Sequence, residues 1–111
     1  MGDDAKEFVH TTRTEPTGTG SAEVTCAVVV VGRRGVRVRI VSHNRPPEGP
    51  KDRATAVYAS ASHFVGGRWR KVLPKHRAGE GPLTPAATRD LVAKVARSVA
   101  AFLRETGGTH G

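Results

Sequence analysis

The clearest pattern in the chain is a period of two. Between Gly35 and His43, Val36, Val38 and Ile40 alternate with Arg37 and Arg39. Successive side chains of a strand point to opposite faces, so this segment predicts a strand with one apolar and one basic face. Before it, Val24 to Val31 is almost continuously apolar and predicts a strand buried on both faces or centrally placed. Gly32-Arg33-Arg34-Gly35 predicts the turn between them. Ala54 to Val65 predicts a third strand, built of small residues and ending in His63-Phe64-Val65. Gly66-Gly67 then predicts a two-residue hairpin turn, since glycine accepts positive φ at both central positions. Arg68 to Leu73 predicts a short fourth strand. The segments 44–53, with three prolines, and 74–83 predict loops.

From Thr84 the period lengthens to that of a helix. Thr84 suits an N-cap, and Pro85 suits the first helical position, where no amide donor is needed. Leu91, Val95, Val99 and Phe102/Leu103 form an apolar stripe with Val92 beside it, and Arg89, Lys94, Arg97 and Arg104 lie largely elsewhere. Gly107-Gly108 predicts the stop. Residues 1–22 hold Gly, Thr, Ser, Pro and acids without a sustained apolar period, and predict a flexible acidic tail. The expected fold is α+β: one domain over 23–107, with a four-stranded antiparallel sheet of two hairpins and a C-terminal helix packed on one face. The order of elements over 24–106 is similar to that of transcriptional coactivators that bind single-stranded DNA. No motif accompanies this similarity, and no functional residue is carried over from it.

Composition narrows the chemistry. The 111 residues hold 15 Val against four Leu and one Ile, which favours strands over a leucine-rich bundle. One Cys excludes an internal disulfide or a Cys-based zinc site. The longest apolar run, Ala27 to Val31, is far too short to cross a membrane as a helix. The opening Met-Gly-Asp-Asp has no basic or apolar leader character, so a cytoplasmic location is expected. The excess of Arg, Ala, Gly, Val and Pro matches the codon supply of a GC-rich bacterial genome. No phosphate-loop, HExxH or GxSxG string occurs, no nucleophile–base pair can be named, and no metal site or cofactor is expected. Gly32-Arg33-Arg34-Gly35 spells the GxxG string of KH domains, whose loop joins two helices, whereas here it lies between two strands.

Charge points to a partner. Lys and Arg number 18 against 10 acids, a net charge of +8, and the excess is concentrated between residues 24 and 82. A four-residue turn would place Val31, Val29 and Ala27 opposite Val36, Val38 and Ile40, with Arg37 and Arg39 on the reverse beside Val30 and Val28. In the second hairpin the turn places Val65, Phe64 and His63 opposite Arg68, Trp69 and Arg70. Filling the core with the few large side chains puts Tyr58, Phe64, Trp69 and Leu73 on the helix-covered face, with Ser60 and Ser62 between them. His63, Arg68 and Arg70 then join Arg37 and Arg39 on the other face. The expectation is a small nucleic-acid-binding protein, for DNA rather than RNA, that holds backbone phosphates on a basic sheet face and its flanking loops. The candidate residues are Arg33, Arg34, Arg37, Arg39, His63, Arg68, Arg70, Lys71, Lys75 and Arg77. The alternative is a protein-interaction or homodimerisation module without catalytic activity, packing through Val-rich strands or the helix alanines. A soluble basic face with no ligand is the plainest competitor of both.

Overall fold

The computed structural model describes residues 5–18, 20–44, 56–80 and 83–105. Its strands are β1 (Ala5–Thr17), β2 (Gly20–Val31), β3 (Arg34–Asn44), β4 (Val57–Val65) and β5 (Arg68–Gly79), followed by one helix, α1 (Pro85–Glu105). They form one antiparallel sheet in the order β1-β2-β3-β4-β5. The α+β class and the C-terminal helix match expectation; the strand count is five rather than four.

The added strand is β1, drawn from residues read as tail. It lacks apolar alternation, yet Thr11, Thr12 and Thr14 suit an extended backbone. Its pairing with β2 runs the length of both strands, with a bulge near Phe8. Thr12 and Thr25 share a hydroxyl–hydroxyl hydrogen bond of 3.0 Å across the pair, and Thr25 is buried. Backbone pairing and small cross-strand contacts hold this strand, and hydrophobic periodicity does not register either.

The core lies between the sheet and α1. Ala27, Val29 and Val31 of β2 meet Val36, Val38 and Ile40 of β3 and Val57, Ala59 and Ala61 of β4. The helix contributes Val92, Val95, Ala96, Val99, Ala100 and Leu103 to the same cluster. Each fully buried Val or Ile contributes about 1.5–3 kcal/mol of transfer free energy. The expected cap forms: the Ala87 amide donates to Thr84 Oγ1 at 3.1 Å, and Thr88 Oγ1 donates to the Thr84 carbonyl at 3.0 Å. Val92 is buried, Leu91 packs half-buried against the same core, and Phe102 is largely exposed.

The two hairpins depart from expectation in different ways. In β2–β3, Val31 pairs with Arg34, so the turn is Gly32-Arg33 rather than four residues. Gly32 has φ +63° and, among the described residues, no non-glycine residue has positive φ, which is the pattern of a two-residue turn with glycine at its first central position. Val29 therefore faces Val36, and Arg37 and Arg39 lie beside Val28 and Cys26. This two-residue shift preserves the faces.

In β4–β5 the expected register holds: Val65, Phe64 and His63 pair with Arg68, Trp69 and Arg70, and Gly66 and Gly67 have φ +61° and +77°. The faces are reversed. Val57, Ala59 and Ala61 lie under the helix, and Tyr58, Ser60, Ser62 and Phe64 lie on the open side with Arg37 and Arg39. Small side chains fill that layer together with Ala96 and Ala100 of α1, and rings do not fit a close-packed layer of this kind. Leu73 does pack against the core as expected, although Trp69 does not. Register shifts near Ala61 put both Val72 and Leu73 against the core and break the alternation that would join Leu73 to Trp69. β5 also continues through Pro74, which was expected to start a loop; an edge strand tolerates proline. The expected loop over 44–53 lies almost wholly outside the described residues.

Candidate nucleic-acid interface

The side of the sheet away from α1 carries the candidate site. Directly paired residues of antiparallel strands share a face, so the ladder pairings place the side chains. Running from β3 across β4 to β5, Gly35 neighbours the Phe64–Trp69 pair, Arg37 aligns with Ser62 and Lys71, and Arg39 with Ser60. Val41 aligns with Tyr58 and Arg77. Ser60 and Ser62 make a low floor on β4. Arg37 and Arg39 flank it on β3, and Lys71 on β5.

An aromatic cluster stands at each end of that floor. At the turn end, Phe64 and Trp69 meet edge to face with centroids 5.3 Å apart, and the Arg37 guanidinium lies 4.9 Å from the indole centroid. The indole reaches across β4 to β3, where it comes within 3.9 Å of where a Cβ of Gly35 would stand. At the other end, Tyr58 contacts His43 edge to face at 5.6 Å and carries Lys75 Nζ 5.0 Å from its centroid. Tyr58 also packs on a small second cluster formed by Ala22, Val24 and Val41. Tyr58 and Phe64 are six positions apart on β4, or roughly 20 Å at the strand rise.

On β3, β4 and β5 the charge of this surface is one-signed. The open-side residues of β3, β4 and β5 include no Asp or Glu. Just past β5, Glu80 accepts from Arg77 at 3.4 Å in an exposed pair, which is worth little in water. On β1, Glu15 and Arg13 neutralise each other at 2.5 Å. Arg37, Arg39, Lys71, Lys75 and Arg77 are all exposed.

The sequence candidates therefore divide. Arg37, Arg39, Lys71, Lys75 and Arg77 come together on the open side. His63 pairs with Val36 and Arg70, so both stand on the helix side of the sheet, as do Arg68 beside Val65 and Arg34 beside Val31. Arg33 lies in the turn, exposed. A face of cations sorted from aromatics does not exist; cations and rings share one face. Sequence reasoning missed that exposed Phe64 and half-buried Tyr58 and Trp69 lie on the open side. The signal available was the alternating Val57, Ala59 and Ala61, which offered an equally regular and smaller apolar face. Among the described residues no group of His, Cys, Asp and Glu is placed to hold a metal ion, and no helix is long and apolar enough to cross a membrane. Comparison with protein-family models, with curated proteins and with solved structures finds no match.

Proposed function

We propose that this protein binds nucleic acid through the open face of its sheet. One observation carries the reading: Arg37, Arg39 and Lys71 flank a floor of Ser60 and Ser62, and the open-side residues of β3, β4 and β5 include no carboxylate. Guanidinium forks bind phosphate oxygens in pairs, and release of condensed counterions supplies the driving force. Lys75 and Arg77 extend the positive field along β5. DNA is the first ligand to test. The variant Arg37→Ala/Arg39→Ala/Lys71→Ala should lose affinity at low salt, and its dependence of log K on log salt should flatten by about two to three units. Arg70→Ala, on the other face, serves as a single-charge control. Loss of affinity in Arg70→Ala as large as in the triple variant would reject this face as the site.

A second reading is self-association. It is favoured by the edge strand β1, where Phe8 and Val9 are 61% and 47% exposed, next to half-buried Val28 and Val30. Exposed edges with apolar residues pair with other chains unless blocked. Sedimentation at micromolar concentration tests it: a dimer abolished by Val9→Lys supports this reading, and a monomer at every concentration removes it.

A further inference from the structure

We infer that the nucleic acid taken by this face is single-stranded, with unpaired bases stacked on the aromatic clusters at the two ends of the serine floor. The inference rests on the nucleic-acid reading above and adds the form of the ligand.

The rings are its basis. Phe64 is 52% exposed although it is one of only five aromatic Phe, Trp and Tyr residues in the chain. A protein short of large apolar side chains has placed three of them, Tyr58, Phe64 and Trp69, outside its helix-covered core. Phe64 is exposed and Tyr58 and Trp69 are half-buried, so a nucleobase stacked at the turn end covers ring surface that the protein itself leaves to water. The cations are held against these rings. Arg37 lies over Trp69 and Lys75 over Tyr58, so each cluster offers a stacking plane and a phosphate-binding charge together. A guanidinium layered on an indole is itself a plane on which a base stacks.

The shape decides between strand forms. In a duplex the base faces are already stacked on one another and inaccessible, so rings on a broad open sheet find nothing to contact. A single strand turns its bases toward the surface and its phosphates toward the flanks. Roughly 20 Å separates Tyr58 from Phe64, and only the two serines stand between them on β4. A short stretch of strand spans this distance. Its bases meet Phe64 and the Arg37–Trp69 layer at one end and Tyr58 at the other. Arg39 and Lys71 contact the intervening phosphates, and the serine hydroxyls face base or sugar edges.

Trp69 is the sole tryptophan, so the intact protein carries its own reporter. Three probes are titrated into the full chain while indole emission and probe anisotropy are followed. They are a thymidine oligonucleotide, a duplex of matched length, and an abasic oligonucleotide with the same number of phosphates. The expected result is tight binding of the thymidine strand with marked change in Trp69 emission. The abasic strand should bind at least roughly tenfold more weakly and leave emission unchanged, as should the duplex. Phe64→Ala, at an exposed position outside the helix-covered core, should weaken the thymidine strand by roughly tenfold and the abasic strand by much less, and an equal loss for both strands would overturn the stacking role. Equal binding of all three probes without an emission change overturns this inference and leaves the phosphate-binding face standing. Absence of binding to any probe overturns both.

Discussion

The hairpins β2–β3 and β4–β5 are built alike, each closed by a two-residue glycine turn, and they differ in how legible they are. In β2–β3 the strand register read from sequence is two residues out, yet every side chain lies on the expected face. In β4–β5 the register is right and the faces are reversed. Register is a property of a turn. Facing is a property of the layer packed against the sheet. In β3 the alternation of Val and Ile with Arg leaves one choice, because a guanidinium cannot be buried unpaired. In β4 both alternating sets are uncharged up to His63, one of Val and Ala, the other of Tyr, Ser and Phe. The decision then passes to packing, and the thinner set lies beneath the alanines of α1.

Substitutions can break this comparison. The largest effect is expected at Ile40, the largest of the fully buried side chains. Ile40→Ala should cost about 2–5 kcal/mol in urea unfolding. Trp69→Ala removes a larger side chain and should cost less, because the indole lies on the open side. Reversal of that order would put Trp69 in the core. Next in size is a pair on neighbouring positions of β4. Ala61→Phe inserts a ring into the closed layer and should cost about 1–3 kcal/mol or more. Ser62→Phe adds the same ring to the open side and should change stability by about 0.5 kcal/mol or less. Similar costs for both would erase the distinction between the faces.

The turns give the smallest contrast. Gly66→Ala and Gly67→Ala each place a Cβ in left-handed backbone and should each cost about 1–2 kcal/mol. Gly35→Ala should be close to neutral in thermal unfolding, since its φ is not positive and a Cβ would meet Phe64 and Trp69 at 3.7 and 3.9 Å, ordinary contact distances. A four-residue turn ending at Gly35 would instead make that position as sensitive as the others.

The candidate site was half legible. Arg37 and Arg39 could be assigned to an open face because charge and alternation agree there. Lys71, Lys75 and Arg77 were recognisable as cations, but their shared face depends on irregularities of β5 near Ala61 and Ala59 that no alternation rule contains. The rings were assigned to the core on size, an argument that fails where valine and alanine already fill the space. β1 was illegible for another reason: an edge strand held by backbone pairing and threonine contacts leaves no period of two in its apolar residues.

The local elements are legible in short stretches of chain: the alternating β3, the Gly66-Gly67 turn and the capped, amphipathic α1. These follow from φ preferences, side-chain period and orphan amides, all of which act within a few residues. Only the tertiary structure decided that Ala5–Thr17 joins the sheet, which face of β4 and β5 meets the helix, and hence that tyrosine, phenylalanine and tryptophan share the open side with Arg37, Arg39 and Lys71. Those choices are set by the fit between two layers whose residues lie tens of positions apart. A period of two sorts side chains into two sets, and it carries no information about which set the other layer will cover.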